Sequence, residues 1–107
     1  MANIYRIPVT PDESSFKIRI GLDGRDYVLS FDFNTRMNRW IIGYYDAEEN
    51  PIVVGVAMSI DSSILRLYVQ EELPPGEMIL FDTSEKHIEC GRNDLGVRCD
   101  LLYEAVT

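Results

Sequence analysis

The sequence predicts an all-β domain, a small antiparallel barrel or sandwich of about six to eight strands with little helix. Three observations carry this expectation. Phe16–Leu22 and Tyr27–Phe33 alternate apolar and polar residues with a period of two, the pattern of half-buried strands. Turn-forming residues recur at short intervals between apolar runs. No segment keeps a helical period across three turns.

Taken in order, Met1–Ser15 reads as an N-terminal arm and residues 16–107 as a single β domain. Pro8 and Pro11 cannot donate ladder hydrogen bonds and suit an edge or a lead-in, and Asp12–Ser15 is a turn cluster. This arm is expected to dock onto an adjacent subunit and to be dispensable for folding of the body. Phe16, Ile18, Ile20 and Leu22 form one face of the next strand. Asp23-Gly24 is a hairpin signal, because both residues tolerate the positive φ of a type I′ turn. Tyr27, Leu29, Phe31 and Phe33 line the returning strand on the same core. Asn34–Arg39 is a second turn. Trp40–Tyr45 is apolar on both faces and predicts a strand at least partly covered on each.

Asp46–Pro51 is another turn. Ile52–Met58 is β-branched and uncharged, and reads as a buried strand with Gly55 at a bulge. These four strands predict an antiparallel meander. Beyond them, Ser59–Ser63 is a loop and Ile64–Val69 alternates weakly toward strand. Glu71–Gly76 (EELPPG) is a break, and Met78–Phe81 a short apolar strand. Thr83–Gly96 is polar and turn-rich. Val97, Cys99, Leu101 and Tyr103 share one face of a terminal strand.

The 107 residues suffice for one core, and the apolar fraction of 46% is that of a globular chain. Formal charge is −8, from 10 basic and 18 acidic residues, with no basic run. That balance opposes binding to nucleic acid or to an anionic membrane, both of which draw affinity from basic side chains. The N-terminus lacks an apolar core of signal-peptide length, and no apolar run is long enough to span a bilayer as a helix, so synthesis in a cytoplasm is the expectation. Two cysteines in such a compartment are expected to be reduced.

Candidate chemistry is sparse. His87, Cys90 and Cys99 offer three soft ligands where structural zinc takes four, so a surface histidine and two structural thiols is the better reading. A Cys90–Cys99 disulfide is geometrically open but disfavoured by the reducing compartment. The acidic pairs Asp12-Glu13, Glu48-Glu49 and Glu71-Glu72 fall in turns, where carboxylates are solvated and lack the split pKa values of acid–base catalysis. Asp23-Gly24-Arg25-Asp26 is too short for a calcium loop, and Gly21-x-x-Gly24 lacks the strand-to-helix setting of a phosphate loop. With one histidine, no nucleophile context surrounds any serine or cysteine. Tyr27, Phe31, Phe33, Trp40, Tyr44 and Tyr45 could form a stacking platform, but their register with aliphatics marks a core. No residue is assigned as catalytic, cofactor-binding or metal-ligating, and the chain reads as a non-enzyme.

Five stretches carry a family resemblance: IPVTP at Ile7–Pro11, LDGRDY at Leu22–Tyr27, NTRMNRW at Asn34–Trp40, YDAEENP at Tyr45–Pro51 and RNDLGVRCDLLY at Arg92–Tyr103. Together, in this order and spacing, they resemble the small baseplate plug proteins of contractile-tailed bacteriophages, cyanophage-type plugs among them. Ser59–Lys86 contributes nothing to the likeness. The resemblance implies a β-rich structural protein of the virion tail baseplate, assembled in the host cytoplasm. It implies packing against tail-tube, hub and other baseplate proteins, as a homo-oligomer in the tail, with no cofactor. The competing expectation is a small β-barrel binding a sugar or peptide, which requires Trp40 or Tyr44 exposed in a cleft.

Overall fold

The computed structural model describes residues 3–9, 13–65 and 72–105. Among them are seven strands and no helix: β1 (Asn3–Arg6), β2 (Ser15–Leu22), β3 (Arg25–Asn34), β4 (Arg39–Tyr45), β5 (Pro51–Ala57), β6 (Glu77–Asp82) and β7 (Cys99–Ala105). They form two antiparallel sheets, one of order β2-β3-β4-β5 and one of order β1-β7-β6. The sheets face each other as a sandwich and do not close into a barrel.

The four-stranded sheet is the expected meander. Asp23 and Gly24 have φ of 51° and 82°, the left-handed pair that a two-residue hairpin needs, and they set Leu22 opposite Arg25. From that register Phe16 falls opposite Phe31 and their rings stack at 4.9 Å. Trp40 meets both Phe16 and Phe33 edge-on, at 6.0 and 5.4 Å. Aromatic pairs of this kind add to the area term for burying the rings.

β5 differs from expectation. It is the sheet's edge strand rather than a strand buried on both faces, and Val54 is 53% exposed. An apolar run shows that a strand has a face to bury but not whether a second layer covers the other face. Gly55 does sit at a bulge: Ile42 pairs with Val56 and Tyr44 with Val53, so Gly43 alone opposes Val54 and Gly55. Gly55 takes φ of 75°, which a residue with a Cβ rarely adopts.

The second sheet is assembled from distant parts of the chain. β7 lies between β1 and β6, with Tyr5 opposite Tyr103 and Met78 opposite Tyr103 on the other side. It begins at Cys99; Val97, expected on its inner face, lies in the preceding turn and is 64% exposed. Asn3–Arg6, within the segment read as an arm, is thus one edge of this sheet. Ile7 follows it into the core at 1% exposure, its N–H donating to the Leu101 carbonyl at 2.8 Å. Removing these residues would take a strand and a core side chain from the body. The opposite edge, β6, is covered by the loop after β5, where the N–H groups of Asp61 and Ile64 donate to the carbonyls of Leu80 and Met78. Ile64 and Leu65 are buried in that loop, and the rest of the weakly alternating segment lies outside the described residues.

Between the sheets, Tyr27, Leu29 and Phe31 of β3 and Trp40, Ile42 and Tyr44 of β4 pack with Met78, Leu80, Leu101 and Tyr103; none exceeds 2% exposure. Each buried aliphatic or aromatic side chain removes apolar surface worth about 1.5–3 kcal/mol.

Cys90 and Cys99 form a disulfide, their Cα atoms 6.3 Å apart, which corrects the expectation of reduced thiols. The compartment argument weighed where the chain is made. It could not weigh a fold that holds the two sulfurs together, with Cys90 3% and Cys99 0% exposed. The bond joins the start of β7 to a loop that also accepts from Trp40, whose indole N–H donates to the Gly91 carbonyl at 3.0 Å.

Two outcomes are expected. Ile7→Ala should cost about 2–4 kcal/mol in urea unfolding, as for other aliphatic deletions from a packed core; a cost within error of zero would show that the first strand is not integral to the body. Replacing both cysteines by serine should lower stability by about 2–3 kcal/mol, the loop-closure value for a ring of this size. Equal stability of wild type with and without reductant would contradict a formed bond.

Candidate interaction surface

The side chains that first invited a chemical reading are dispersed or engaged. Cys90 and Cys99 are joined to each other. His87 is exposed, and its Nδ1 meets the Asp61 carboxylate at 2.5 Å. That hydrogen bond, with the Asp61 charge behind it, holds the imidazole pKa above its ordinary value. No group of three or more metal-ligating side chains occurs among the described residues. Glu48 and Glu49 sit in the β4–β5 turn, which Asp46 organises by accepting from the N–H groups of Glu48 and Asn50 at 3.0 and 2.8 Å. Asp12 and Glu71 lie outside the described residues. Of the six aromatics read as core, Tyr27, Phe31, Trp40 and Tyr44 are buried, with Trp40 2% and Tyr44 0% exposed, and Phe33 packs partly buried against them; Tyr45 is the exception, half-buried outside the core with Lys17 over its ring.

The electrostatic centre that sequence reasoning missed is Asp82, the last residue of β6, buried at 1% exposure. It accepts from the Ser84 hydroxyl and N–H at 2.7 and 2.9 Å, and from the Ile88 N–H at 3.0 Å. Arg98 reaches it at 2.7 Å and also bonds Asp94 and the carbonyls of Ile88 and Glu89. The Ser84 hydroxyl above all, with the two backbone N–H groups and the guanidinium, holds the Asp82 carboxyl far below the usual carboxylate range against the opposing cost of burial. This network folds the long polar loop between β6 and β7 onto the sandwich. Polar residues after a short apolar strand give no sign of which one turns inward. The only available signal was the spacing of Asp94 and Arg98, four residues apart.

What the surface offers is strand edge. The 58–65 loop closes the β6 side of the sandwich, but on the other side β1 and β2 flank an open seam. There a cleft of about 350 Å³ is lined by Tyr5, Arg6, Ile20, Gly21 and Leu22, the Asp23-Gly24 turn, Tyr103 and Ala105. At its floor the Tyr103 hydroxyl donates to Asp23 and accepts from the Gly76 N–H, at 2.5 and 2.8 Å. Burial, and after it the hydrogen bond to Asp23, push the phenol's pKa well up, so it stays a donor at any ordinary pH. The cleft contains a backbone edge and apolar walls, and it has neither a nucleophile–base pair nor a paired-carboxylate arrangement. Ile4 and Tyr5, 63% and 51% exposed, lie on this side.

The Asp82 network has a pH signature. Its folded pKa lies below the unfolded value near 3.8, so its stabilisation is complete above that value and is lost as pH falls toward the folded one. Wild type should therefore lose stability between about pH 5 and pH 2, and Asp82→Asn should be less stable at neutral pH with a flatter acid limb. Parallel acid limbs in thermal melts would show that Asp82 is not the group responsible.

A family model described as the cyanophage baseplate Pam3 plug gp18 matches residues 4–106. No curated protein matches the chain. The match runs from the exposed first strand through the last residue of the central strand β7, and so includes both sheets and the loop tied down by Asp82. The chain belongs to the cyanophage baseplate plug family.

Proposed function

We propose that this protein is a structural component of a contractile-tail baseplate that packs near the tail tube and central hub through protein–protein contacts, in several copies per tail. The observation that carries the reading is the family match over residues 4–106. The proposal includes a virion location, partnership with hub, tube and other baseplate proteins, and assembly in the host cytoplasm; the match supports its baseplate part.

The molecule's physics supports this use. Its polar chemistry is spent internally: Asp82, Arg98, Tyr103 and Trp40 all hold loops to the sandwich. Its exposed large hydrophobics include Ile4 and Tyr5 on an edge strand and Val54 on another, and sheet edges with apolar side chains pair readily with neighbours. The net charge of −8 disfavours a nucleic-acid partner. The competing reading, a sugar- or peptide-binding module built on exposed aromatics, needs Trp40 or Tyr44 in a cleft, and both are core.

Quantitative mass spectrometry of purified tails tests the reading. The chain should appear in a fixed ratio to baseplate proteins and be lost with the baseplate when tails are stripped of it. Its absence from purified tails, or a ratio that varies between preparations, would overturn the proposal.

A further inference from the structure

The open seam between β1 and β2 has the properties of a strand-acceptor site. Ile7 bonds to Leu101, so the alternation of antiparallel pairing also directs the backbone groups of Tyr5 toward β7 and those of Ile4 and Arg6 away from it. On the other flank, the two-residue hairpin makes Leu22 and Arg25 a hydrogen-bonded pair. The same alternation then directs the backbone of Gly21 out of its sheet. Two strand edges thus present unpaired ladder groups toward one cleft.

Gly21 itself points the same way. It does not have the positive φ that explains Gly24 and Gly55. A Cβ there would meet the movable Asp26 carboxylate at 3.3 Å and the Arg25 carbonyl oxygen at an ordinary 4.0 Å. Neither conformation nor crowding demands glycine, whereas a glycine within a strand is expected where another backbone comes close. The cleft beneath, about 350 Å³ and walled by Ile20, Leu22 and Tyr103, has room for an apolar side chain of an incoming strand.

Charge selects the occupant. Glu104 is the cross-strand neighbour of Ile4, and Asp26 is that of Gly21. Both are exposed and neither forms an ion pair among the described residues. Glu77 stands directly opposite Glu104, a like-charged pair that a basic neighbour would relieve. Past the Asp23-Gly24 turn, a second concavity is lined by Asp26, Asp46, Glu48 and Glu72. The arginines in these linings are engaged, Arg6 with Asp100 and Arg25 with the Glu72 carbonyl, and a second copy of this chain, carrying −8, would be repelled from the surplus of carboxylates.

We infer that the β1–β2 seam accepts an extended segment of a different baseplate protein, basic in its outward residues and apolar in those facing the cleft. The segment adds a strand to one of the two edges, seats an apolar side chain above Tyr103, and places lysine or arginine beside Glu104 and Asp26. Main-chain bonds supply affinity in this mode and the alternate side chains supply specificity. The inference rests on the baseplate reading and names the chemistry of the contact.

The test uses the full chain carrying Ile4→Lys and Gly21→Lys together, which reverse the charge preference and obstruct both edges. Met37→Lys, in the β3–β4 turn at the other end of the hairpin, serves as control. Both variants should keep the wild-type circular dichroism and elute as wild type. Only the double variant should fall in tail incorporation, by about tenfold or more, an amount within the reach of a single interface hot spot. A short peptide of alternating valine and lysine should shift the amide resonances of Ile4, Arg6 and Gly21 in labelled wild-type protein, and the valine–glutamate peptide should not. Normal incorporation of a folded double variant, or equal response to the two peptides, overturns the seam assignment and leaves the baseplate reading standing. Absence of wild type from tails overturns the baseplate reading itself.

Discussion

Strand β7 has to hold together two sheets of different origin. The meander β2–β5 is made of neighbours in sequence, joined by short turns, and leaves an apolar face that must be covered. The cover is built from the two ends of the chain and one late hairpin arm, with β7 between β1 and β6. β7 is tied within its own cover and across to the meander, where the Tyr44 hydroxyl of β4 also bonds the Met78 sulfur of β6. Cys99 bonds Cys90, Leu101 accepts from Ile7, and Tyr103 links the Asp23-Gly24 turn to Gly76. Pairing Asn3 with Ala105 closes nearly the whole chain into one loop, whose entropy must be overcome before the contacts form. The disulfide and the Asp82–Arg98 network hold the long loop before β7 and so limit the wandering of that strand.

The approach of β7 to its surroundings also explains a tight spot. Gly76 precedes β6, and a Cβ on it would lie 2.0 Å from the Glu104 carbonyl oxygen. The sequence marked EELPPG as a break in the chain. The structure shows why its last residue is glycine: the backbone must pass close against β7 for its N–H to reach the Tyr103 hydroxyl. The position of the inter-sheet tie and the identity of the turn residue are therefore one constraint.

The local half of the fold was legible in the sequence because its determinants are local. Period-two alternation located β2 and β3, Asp23-Gly24 fixed their register, and the aromatics in step with Leu29 identified the core. What could not be read depends on contacts remote in sequence. Nothing in PIVVGVA distinguishes an edge strand from a central one. Nothing in NIYR marks a strand whose partner lies about a hundred residues away, so those residues read as an arm. The disulfide was weighed by compartment, although proximity and burial at 6.3 Å decide it. Asp82 looked like the polar end of a short strand until its four donors were assembled from Ser84, Ile88 and Arg98. Of the surface, the sequence offered no catalytic motif to read, and the seam is a product of topology: it exists because β1 and β2 end up on the same side of the sandwich.

Together these features make a scaffold whose interior, among the described residues, is satisfied except at the buried Ser63 hydroxyl, and whose margin is not. Polar groups that could do chemistry hold loops in place instead, and the remaining free valence is backbone at sheet edges beside uncompensated carboxylates. A cryo-EM map of the intact baseplate tests this most directly. The account predicts the seven-stranded sandwich at the tube-proximal centre of the baseplate, with its interior unchanged and its strand edges covered by neighbouring chains. A sandwich whose edges face solvent in the assembled particle, or one opened to bind through Trp40 and Tyr44, would contradict it.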